Sequence, residues 1–293
     1  MPIHNYMPGL KRFPLTAFPV ENHVAYKLHQ HKDYAELVIV TGGSGNHLLE
    51  HESFPIARGD VFFIPLGVTH GYSDCKDLCL INIMFDPRGL QLPEAQLQQV
   101  PGYHALFTLE PALRAQQAFG GRLQVDDVAL NHLQELVAPL NREILECKPG
   151  YEVASTALLC GIMVELARRY SALTAPMPQT LVRLSALLEW LEKNLEKPIT
   201  VELLAEKAHM SRSTLGRCFR ECFGVSPMSY VIELRVRKAE QLLRDGATQI
   251  RDVAQKVGID DANYFARLFR KHTGLEPSAY RSRYRVSRIH SVA

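Results

Sequence analysis

The stretch TQIRDVAQKVGIDDANYFARLFRKHTGLEPSAYRSRYR, residues 248–285, predicts a short helix, a tight turn, a second helix and a capped entry into a third. In the first helix, over Ile250–Lys256, apolar residues recur at the spacing of one buried helix face. Gly258 then provides the positive φ angle that a sharp exit from this helix requires. Asp260 or Asp261 is expected to cap the second helix.

The second predicted helix of this stretch has an apolar face and a basic face. Phe265, Leu268 and Phe269 recur at core spacing, and the opposite side is rich in arginine and lysine. Gly274 is expected to end the helix. A helix, a glycine turn and a second helix with a basic outer surface form the arrangement that places one helix in a DNA major groove.

The same pattern occurs about 50 residues earlier, in TVELLAEKAHMSRSTLGRCFRECFG, residues 200–224. Superposing the two copies places Phe219 on Phe269 and Gly224 on Gly274. A helix predicted over Ser226–Arg244 joins them, and about 15–18 helical residues span roughly 22–27 Å. Adding the half-widths of the two units approaches the ~34 Å between successive major grooves, so one chain is expected to occupy two grooves of double-stranded DNA.

The outward faces of these two helices carry side chains that can bind DNA. Arginine pairs bidentately with guanine, asparagine pairs with adenine, and aspartate accepts from the cytosine amino group. Phosphate contact is the alternative role, since half or more of the hydrogen bonds at such interfaces go to the DNA backbone. The predicted DNA-binding residues are Arg212, Ser213, Arg217 and Arg220 in the first copy and Asp261, Asn263, Arg267 and Arg270 in the second.

The duplicated unit resembles the DNA-binding half of the AraC/XylS family of bacterial transcription regulators. The matching residues include Gly258, Phe265, Gly274 and Pro277, at fixed spacing. Ile259 departs from the family, which usually has an aromatic there, and is expected to fill the same core position. The resemblance implies an effector-responsive homodimer that binds a direct or inverted promoter repeat and works with RNA polymerase.

The net charge of +2 hides an asymmetry between the two halves of the 293-residue chain. Residues 176–293 carry a net charge of +7 and residues 1–175 a net charge of −5, which indicates a polyanionic partner for the second half. The six cysteines are scattered without a CxxC pair, which argues against a zinc site and for reduced thiols. The absence of a long apolar run or a signal-peptide core predicts a cytoplasmic protein without membrane contact.

Residues 24–85 have the texture of a small β-barrel. Short β-branched and aromatic runs such as VAYKLHQH (24–31), AELVIVTG (35–42), NHLLEH (46–51) and DLCLINIMF (77–85) are separated by glycine, proline and aspartate. Residues 1–22, with four prolines, predict an arm or an edge segment. Residues 87–111, which include PGYHALFTLEP (101–111), predict a loop, and the aromatic residues 103–107 are expected to form a wall or lid of the barrel.

Four polar side chains of the predicted barrel have the spacing to form one site. His29 and His31 point to the same face of a strand, Glu36 can return to that face on the next strand, and His70 follows a Pro-x-Gly turn. Three imidazoles and one carboxylate suit a divalent transition metal ion. The spacing resembles both motifs of the cupin family, whose small barrels hold a metal ion or a small molecule inside; Asp74 departs from it, where the second motif often has Asn.

In regulators of the AraC type, the cupin resemblance implies a sensor whose pocket holds a sugar or another effector, and no cofactor is required. The segment 101–111 resembles that of sugar-responsive members, so the expected protein is an activator of a catabolic, sugar-type operon. No residue is assigned to catalysis. The predicted effector-binding residues are His29, His31, Tyr34, Glu36, His70 and Asn82, and a metal ion, if one binds, is held by His29, His31, Glu36 and His70.

The predicted architecture is α+β with several domains. Residues 1–125 form a cupin-like barrel with an N-terminal arm, and residues 126–170 form two helices with apolar stripes that serve dimerisation. Residues 171–180, SALTAPMPQT, are a linker to the all-α double helix-turn-helix domain at 181–293. Two alternatives remain open at this point: a metal-dependent cupin enzyme of the sugar isomerase or dioxygenase type with a helical appendage, and a repressor without a small-molecule ligand.

Overall fold

A computed structural model describes residues 13–50, 52–114, 122–173, 179–245 and 249–290 of the chain. The chain divides into two compact units, Met1–Ser185 and Ala186–Ala293, which are described separately below. Most of the predicted arm, and residues 174–178 of the predicted linker, lie outside the described residues. Within those residues no helix has both the length and the apolar character that a membrane crossing needs.

The first unit is built on one seven-stranded antiparallel sheet, as expected for a cupin-like barrel. Its strand order is β1-β6-β3-β5-β7, with β2 paired to β6 and β4 paired to β3. Val38, Val40, Phe62 and Leu80 lie in its core and are fully buried. The strands are β1 Leu15–Val20, β2 Tyr26–Gln30, β3 Ala35–Leu49, β4 Ser53–Ala57, β5 Asp60–Ile64, β6 Thr69–Phe85 and β7 Leu123–Gln124.

The two long central strands correct the predicted strand breaks. The runs 35–42 and 46–51 were expected to be separated at the glycines, but β3 continues through Gly42–Gly45 with register shifts against β6. Gly43 has φ +66°, and a Cβ atom built on it would lie 2.1 Å from the carbonyl oxygen of Asp77. The glycines therefore act as bulges that bend a continuous strand, because cross-strand pairing outweighs their weak strand propensity.

We expect the substitutions Gly43→Ala and Gly161→Ala to change stability in opposite directions. Gly43 has both a positive φ and a backbone atom in the way of Cβ, so alanine there costs about 1–3 kcal/mol. Gly161 lies in an exposed helical position, and among the described residues no atom beyond its own stretch of helix lies within 4 Å of a built Cβ, so alanine there stabilises by about 0.5–1 kcal/mol. Urea unfolding of the full chain followed by circular dichroism measures both changes, and a neutral Gly43→Ala would contradict this account.

The segment 87–111 is helical for much of its length, so the predicted loop is wrong there. It contains α1 (Glu94–Leu97), a π-helical turn (Ala105–Leu109) and the start of α2 (Glu110–Arg114). Its prolines and glycines hide the helical periodicity, whereas burial of Leu106 and Leu109, both fully inaccessible, stabilises the helical turns.

Two long helices complete the first unit, close to the predicted boundaries. They are α3 (Asp127–Glu146), capped by the carboxylate of Asp126, and α4 (Tyr151–Ser171), and they pack against each other. Leu133, Leu140, Leu159 and Leu166 on their facing sides are fully buried. Large apolar side chains also point outward from this pair, at Val128, Leu145 and Val153.

The second unit is all-α within the described residues and contains the predicted duplication. Each copy has a seven-residue helix followed by a twelve-residue helix that ends at a left-handed glycine, Gly224 in the first copy and Gly274 in the second. Ser211 and Asp261 cap the two longer helices. The helices are α5 Gln179–Asn194, which crosses from the first unit, α6 Val201–Lys207, α7 Arg212–Phe223, α8 Pro227–Asp245, α9 Ile250–Lys256, α10 Ala262–Thr273 and α11 Pro277–His290.

Each copy has an aromatic core around the superposed phenylalanines. Phe219 is fully buried and its ring centroid lies 5.5 Å from that of Tyr230 on α8. Phe269 is also fully buried, 5.2 Å from Tyr280 on α11. Ile259 lies in the second core and is 5% exposed. It therefore fills the core position where the family usually has an aromatic residue, as expected.

Candidate functional site

The structure brings together the four polar side chains singled out in the barrel. His29 on β2 lies opposite His70 on β6, and Glu36 at the start of β3 faces the same interior. With His31, these residues present one ligand atom each, and all four atoms lie within 4.8 Å of one another. Antiparallel pairing therefore joins residues that are up to 41 positions apart in sequence into one cluster.

Glu36 is the buried anion of this cluster. The side-chain oxygen Oε1 lies 2.8 Å from Nε2 of His31 and 3.7 Å from Nε2 of His70. Burial raises the pKa of Glu36, but its interactions with His31 and His70 outweigh burial and lower the pKa to about 2. The carboxylate is therefore ionised at neutral pH although the residue is only 3% exposed.

Two of the imidazoles are oriented by the backbone. Nδ1 of His29 lies 3.0 Å from the carbonyl oxygen of Lys27, and Nδ1 of His70 lies 3.1 Å from that of Val68. A carbonyl oxygen can only accept, so Nδ1 of each ring carries a proton and leaves Nε2 as the atom available to a ligand. Histidines that bind a metal ion through one ring nitrogen commonly donate a hydrogen bond of this kind from the other ring nitrogen. The residues thus fit a divalent transition metal ion, because Nε2 of His70 is buried and has no hydrogen-bond partner within the described residues.

A cavity of about 400 Å³ opens beside the cluster. Its polar wall includes the hydroxyl of Tyr72 and the side-chain oxygen of Asn82, which are buried and unpartnered within the described part of the chain. Its remaining wall includes Phe18 and Val20 of β1, the segment between β1 and β2, and Met84 of β6. Buried polar atoms that face a space of this size are suited to hydrogen bonding with the hydroxyl or amide groups of a ligand.

The predicted effector residues divide into two groups. His29, Glu36, His70 and Asn82 line the cavity. His31 and Tyr34 are not on its wall; the Tyr34 ring stacks on His31 at 4.4 Å between centroids. Burial, and then the charge of Glu36, raises the pKa of Tyr34 to about 12, so its hydroxyl stays protonated.

The aromatic segment 103–107 does not form the cavity wall that was expected of it. Phe107 packs against Phe63 at 5.4 Å between ring centroids, and its segment contacts α4 rather than the cavity. The wall also contains residues that were not predicted, among them Tyr72 and His23, whose rings lie 4.5 Å apart. Tyr72 follows His70 by two positions on one strand and so faces the same side, which is a signal that the sequence does contain.

All eight predicted DNA-binding residues are exposed on α7 and α10, or at the caps of these helices. Several already have partners within the chain. Arg212 forms an ion pair with Glu202 at 2.8 Å, and Arg270 forms one with Glu276 at 3.2 Å. The carboxylate of Asp261 accepts from two backbone amides at the start of α10, so capping competes with base contact there. The side chains without an ion pair or side-chain hydrogen bond within the described residues are Arg220, Asn263 and Arg267.

Two family descriptions match the two units. "AraC-like ligand binding domain" matches residues 19–145, which include strands β2 to β7 and most of α3. "Helix-turn-helix domain" matches residues 204–283, which include α7 and α10, the two helices with the predicted DNA-binding residues, and α8 between them.

Two relatives match over nearly the whole chain. The chain is 30% identical over 280 residues to the HTH-type transcriptional activator RhaR of Pectobacterium carotovorum subsp. carotovorum (strain PC1), covering 96% of this chain and 92% of that protein. It is 29% identical to RhaR of Escherichia coli (strain K12), covering 92% and 89%.

Solved structures also resemble this chain. The DNA-binding domain of AdpA in complex with a target DNA is 34% identical over 36% of this chain and 96% of that domain, with a TM-score of 0.35. Fatty-acid-bound ToxT from Vibrio cholerae strain SCE256 is 11% identical over 91% and 94%, with a TM-score of 0.34. The full-length relatives carry the assignment: the chain belongs to the AraC family of DNA-binding transcription regulators and is not an enzyme.

Proposed function

We propose that this regulator activates a catabolic operon of the sugar type when a small polyhydroxylated effector occupies the barrel cavity. The observation that carries the proposal is the convergence of Glu36, His70, Tyr72 and Asn82 on one cavity of about 400 Å³. Activation is inferred from the relatives, which are named transcriptional activators. Their DNA lies in the bacterial cytoplasm, where the protein would act.

The chemistry of the cavity favours a neutral ligand with several hydroxyl groups. The ionised carboxylate of Glu36 accepts hydrogen bonds from hydroxyls, and Asn82 Oδ1 is a second acceptor. The Tyr72 hydroxyl can donate, since burial raises its pKa well above the usual value. An anionic effector would be repelled by the buried carboxylate, whereas a polyol can satisfy all three groups.

The four-residue cluster would also hold a divalent transition metal ion through His29, His31, Glu36 and His70. Such an ion would supply a Lewis-acid site for hydroxyl oxygens of the effector. The proposal does not depend on the ion, because Tyr72 and Asn82 recognise hydroxyls by themselves. Metal analysis of the purified protein, followed by DNA-binding assays after chelation, distinguishes the two cases: unchanged effector-dependent binding after metal removal would exclude a working role for the ion.

The second unit is proposed to bind two successive major grooves of promoter DNA. α8 has 19 residues, which corresponds to a length of roughly 28 Å between the two helix-turn-helix copies. Exposed arginines on α7 and α10 are the proposed contacts to phosphates and bases.

We also propose that Val128, Leu145 and Val153 belong to a homodimer surface on α3 and α4, which would let two chains bind a repeated site and present the DNA to RNA polymerase.

The switch requires that the effector bind one arrangement of the chain more tightly than another. The cavity lies beside the segment between β1 and β2, and occupancy would change the packing of that segment. The test is a thermal-shift screen of the full chain with pentoses, hexoses and deoxyhexoses, followed by DNA binding with each hit. A chain that no sugar stabilises, with a cavity filled by its own side chains in a crystal, would contradict the proposed effector class.

We expect DNA binding to weaken steeply as salt rises. For about six phosphate contacts, the logarithm of the association constant should fall with the logarithm of salt concentration at a slope of about −5. Arg220→Ala removes an exposed guanidinium that has no ion pair in the described part of the chain, and it should make the slope shallower by about 1. Arg212→Ala should have a smaller effect, because its guanidinium already pairs with Glu202. Fluorescence anisotropy at several salt concentrations measures these slopes; equal effects of both substitutions would contradict this ranking.

A further inference from the structure

The turn of the second helix-turn-helix copy packs directly against the backbone that leads into the first. Gly258, which follows α9, has φ +74°, and a Cβ atom on it would lie 2.5 Å from the carbonyl oxygen of Leu195 and 2.9 Å from that of Glu196. Leu195 and Glu196 belong to the segment between α5 and α6. The two backbones therefore touch with no side chain between them, and only glycine fits at this position.

Arg235 holds the same junction from α8. Its Nε donates to the carbonyl oxygen of Leu195 at 3.0 Å, and its Nη2 donates to the carbonyl oxygen of Lys197 at 2.8 Å. A Cβ atom on Gly258 would lie 2.7 Å from the same Nη2. The planar guanidinium binds two acceptors in a fixed geometry, which a single ammonium group cannot reproduce. Three segments thus meet at one point, which we call the Arg235 junction: residues 195–197, Arg235 and Gly258.

The junction lies where α8 passes from one core to the other. On one side, Tyr230 of α8 packs on Phe223 of the first copy at 4.6 Å between ring centroids. On the other side, Val236 and Ala239 are fully or nearly buried in the second core with Phe269. α8 alone would connect the two copies as a single rod. The Arg235 junction adds a second connection, between the second copy and the segment that leads into the first.

We propose that Arg235 and Gly258 are positioning residues that fix the spacing and orientation of α7 and α10 for simultaneous entry into two grooves. This inference rests on the proposed two-groove binding. When two binding modules are linked, the second binds at an effective concentration set by the stiffness of the link. A stiff link gives tight binding at one separation of half-sites and weak binding at all others, whereas a loose link gives weaker binding that tolerates changes in separation.

The test uses the full chain and DNA selected from random duplexes by the wild-type protein. The wild-type protein should select duplexes in which two blocks of base sequence, the two half-sites, are specified. Inserting two base pairs between these blocks should weaken binding about tenfold or more. Arg235→Met should bind the intact duplex more weakly and lose most of this insertion penalty, to about threefold or less. The matched control is Lys238→Met, which removes one charge from α8 at a side chain with no hydrogen bond or ion pair within the described residues, and it should keep the wild-type penalty.

The outcomes separate the two hypotheses. A wild-type protein that selects a single block and ignores insertions would overturn two-groove binding, and this inference with it. Two selected blocks with an unchanged insertion penalty in Arg235→Met would overturn the inference alone. If circular dichroism shows that Arg235→Met is unfolded, Arg235→Lys takes its place, since it keeps the charge but cannot span both carbonyls. An intermediate penalty in that variant supports the inference, and a wild-type penalty refutes it.

Discussion

Phe269→Ala is expected to lower the free energy of unfolding of the second unit by about 3–5 kcal/mol, because it leaves a cavity in a fully buried core. Such a loss is a large part of the roughly 5–15 kcal/mol that stabilises a typical domain. The variant should therefore lose DNA binding at physiological temperature. Phe219→Ala should have an effect of similar size, since Phe219 holds the same position in the other copy and is equally buried.

Urea unfolding followed by circular dichroism measures both variants. The matched control is Tyr264→Ala on the same helix as Phe269, where an aromatic side chain 43% exposed is removed and the expected change is about 0.5 kcal/mol or less. An effect of Tyr264→Ala as large as that of Phe269→Ala would contradict the assignment of inner and outer faces of α10.

Glu36→Gln is expected to weaken effector binding by about 10- to 100-fold, because hydrogen bonds to a charged acceptor contribute more than those to a neutral amide. The pKa of about 2 means that the wild-type carboxylate is ionised throughout the usual assay range of pH 5–8. The substitution therefore removes a charge that is present under all assay conditions. Isothermal titration with a sugar that stabilises the wild-type protein measures the loss.

Glu21→Gln provides a control with identical chemistry in the same cavity. Glu21 also lines the cavity but is exposed, so its carboxylate is solvated with or without a ligand. We expect its substitution to change effector binding by less than about threefold. If Glu36→Gln binds the sugar as tightly as wild type, the cluster does not recognise the effector, and the ligand must contact other walls of the cavity.

The helical half was predictable in detail because its signals are local. Caps at Ser211 and Asp261, left-handed glycines at Gly224 and Gly274, and apolar spacing each depend on residues within one or two turns. The predicted limits of α9 agree with the structure for this reason. The segment 94–114 was missed because its helices are short and interrupted by proline, and burial against the rest of the first unit stabilises them.

The sequence by itself determined the class of protein, its duplicated helix-turn-helix unit and the four polar residues of the barrel cluster. Period-two spacing on strands and a family-wide motif are enough to identify such a cluster. Only the tertiary structure decided which side chains face the cavity: Tyr72 and His23 line it, whereas His31 and Tyr34 do not. It also revealed the contact of Arg235 with residues 195–197 and Gly258. Both results depend on backbone approach between segments distant in sequence, and no local pattern of residues encodes that approach.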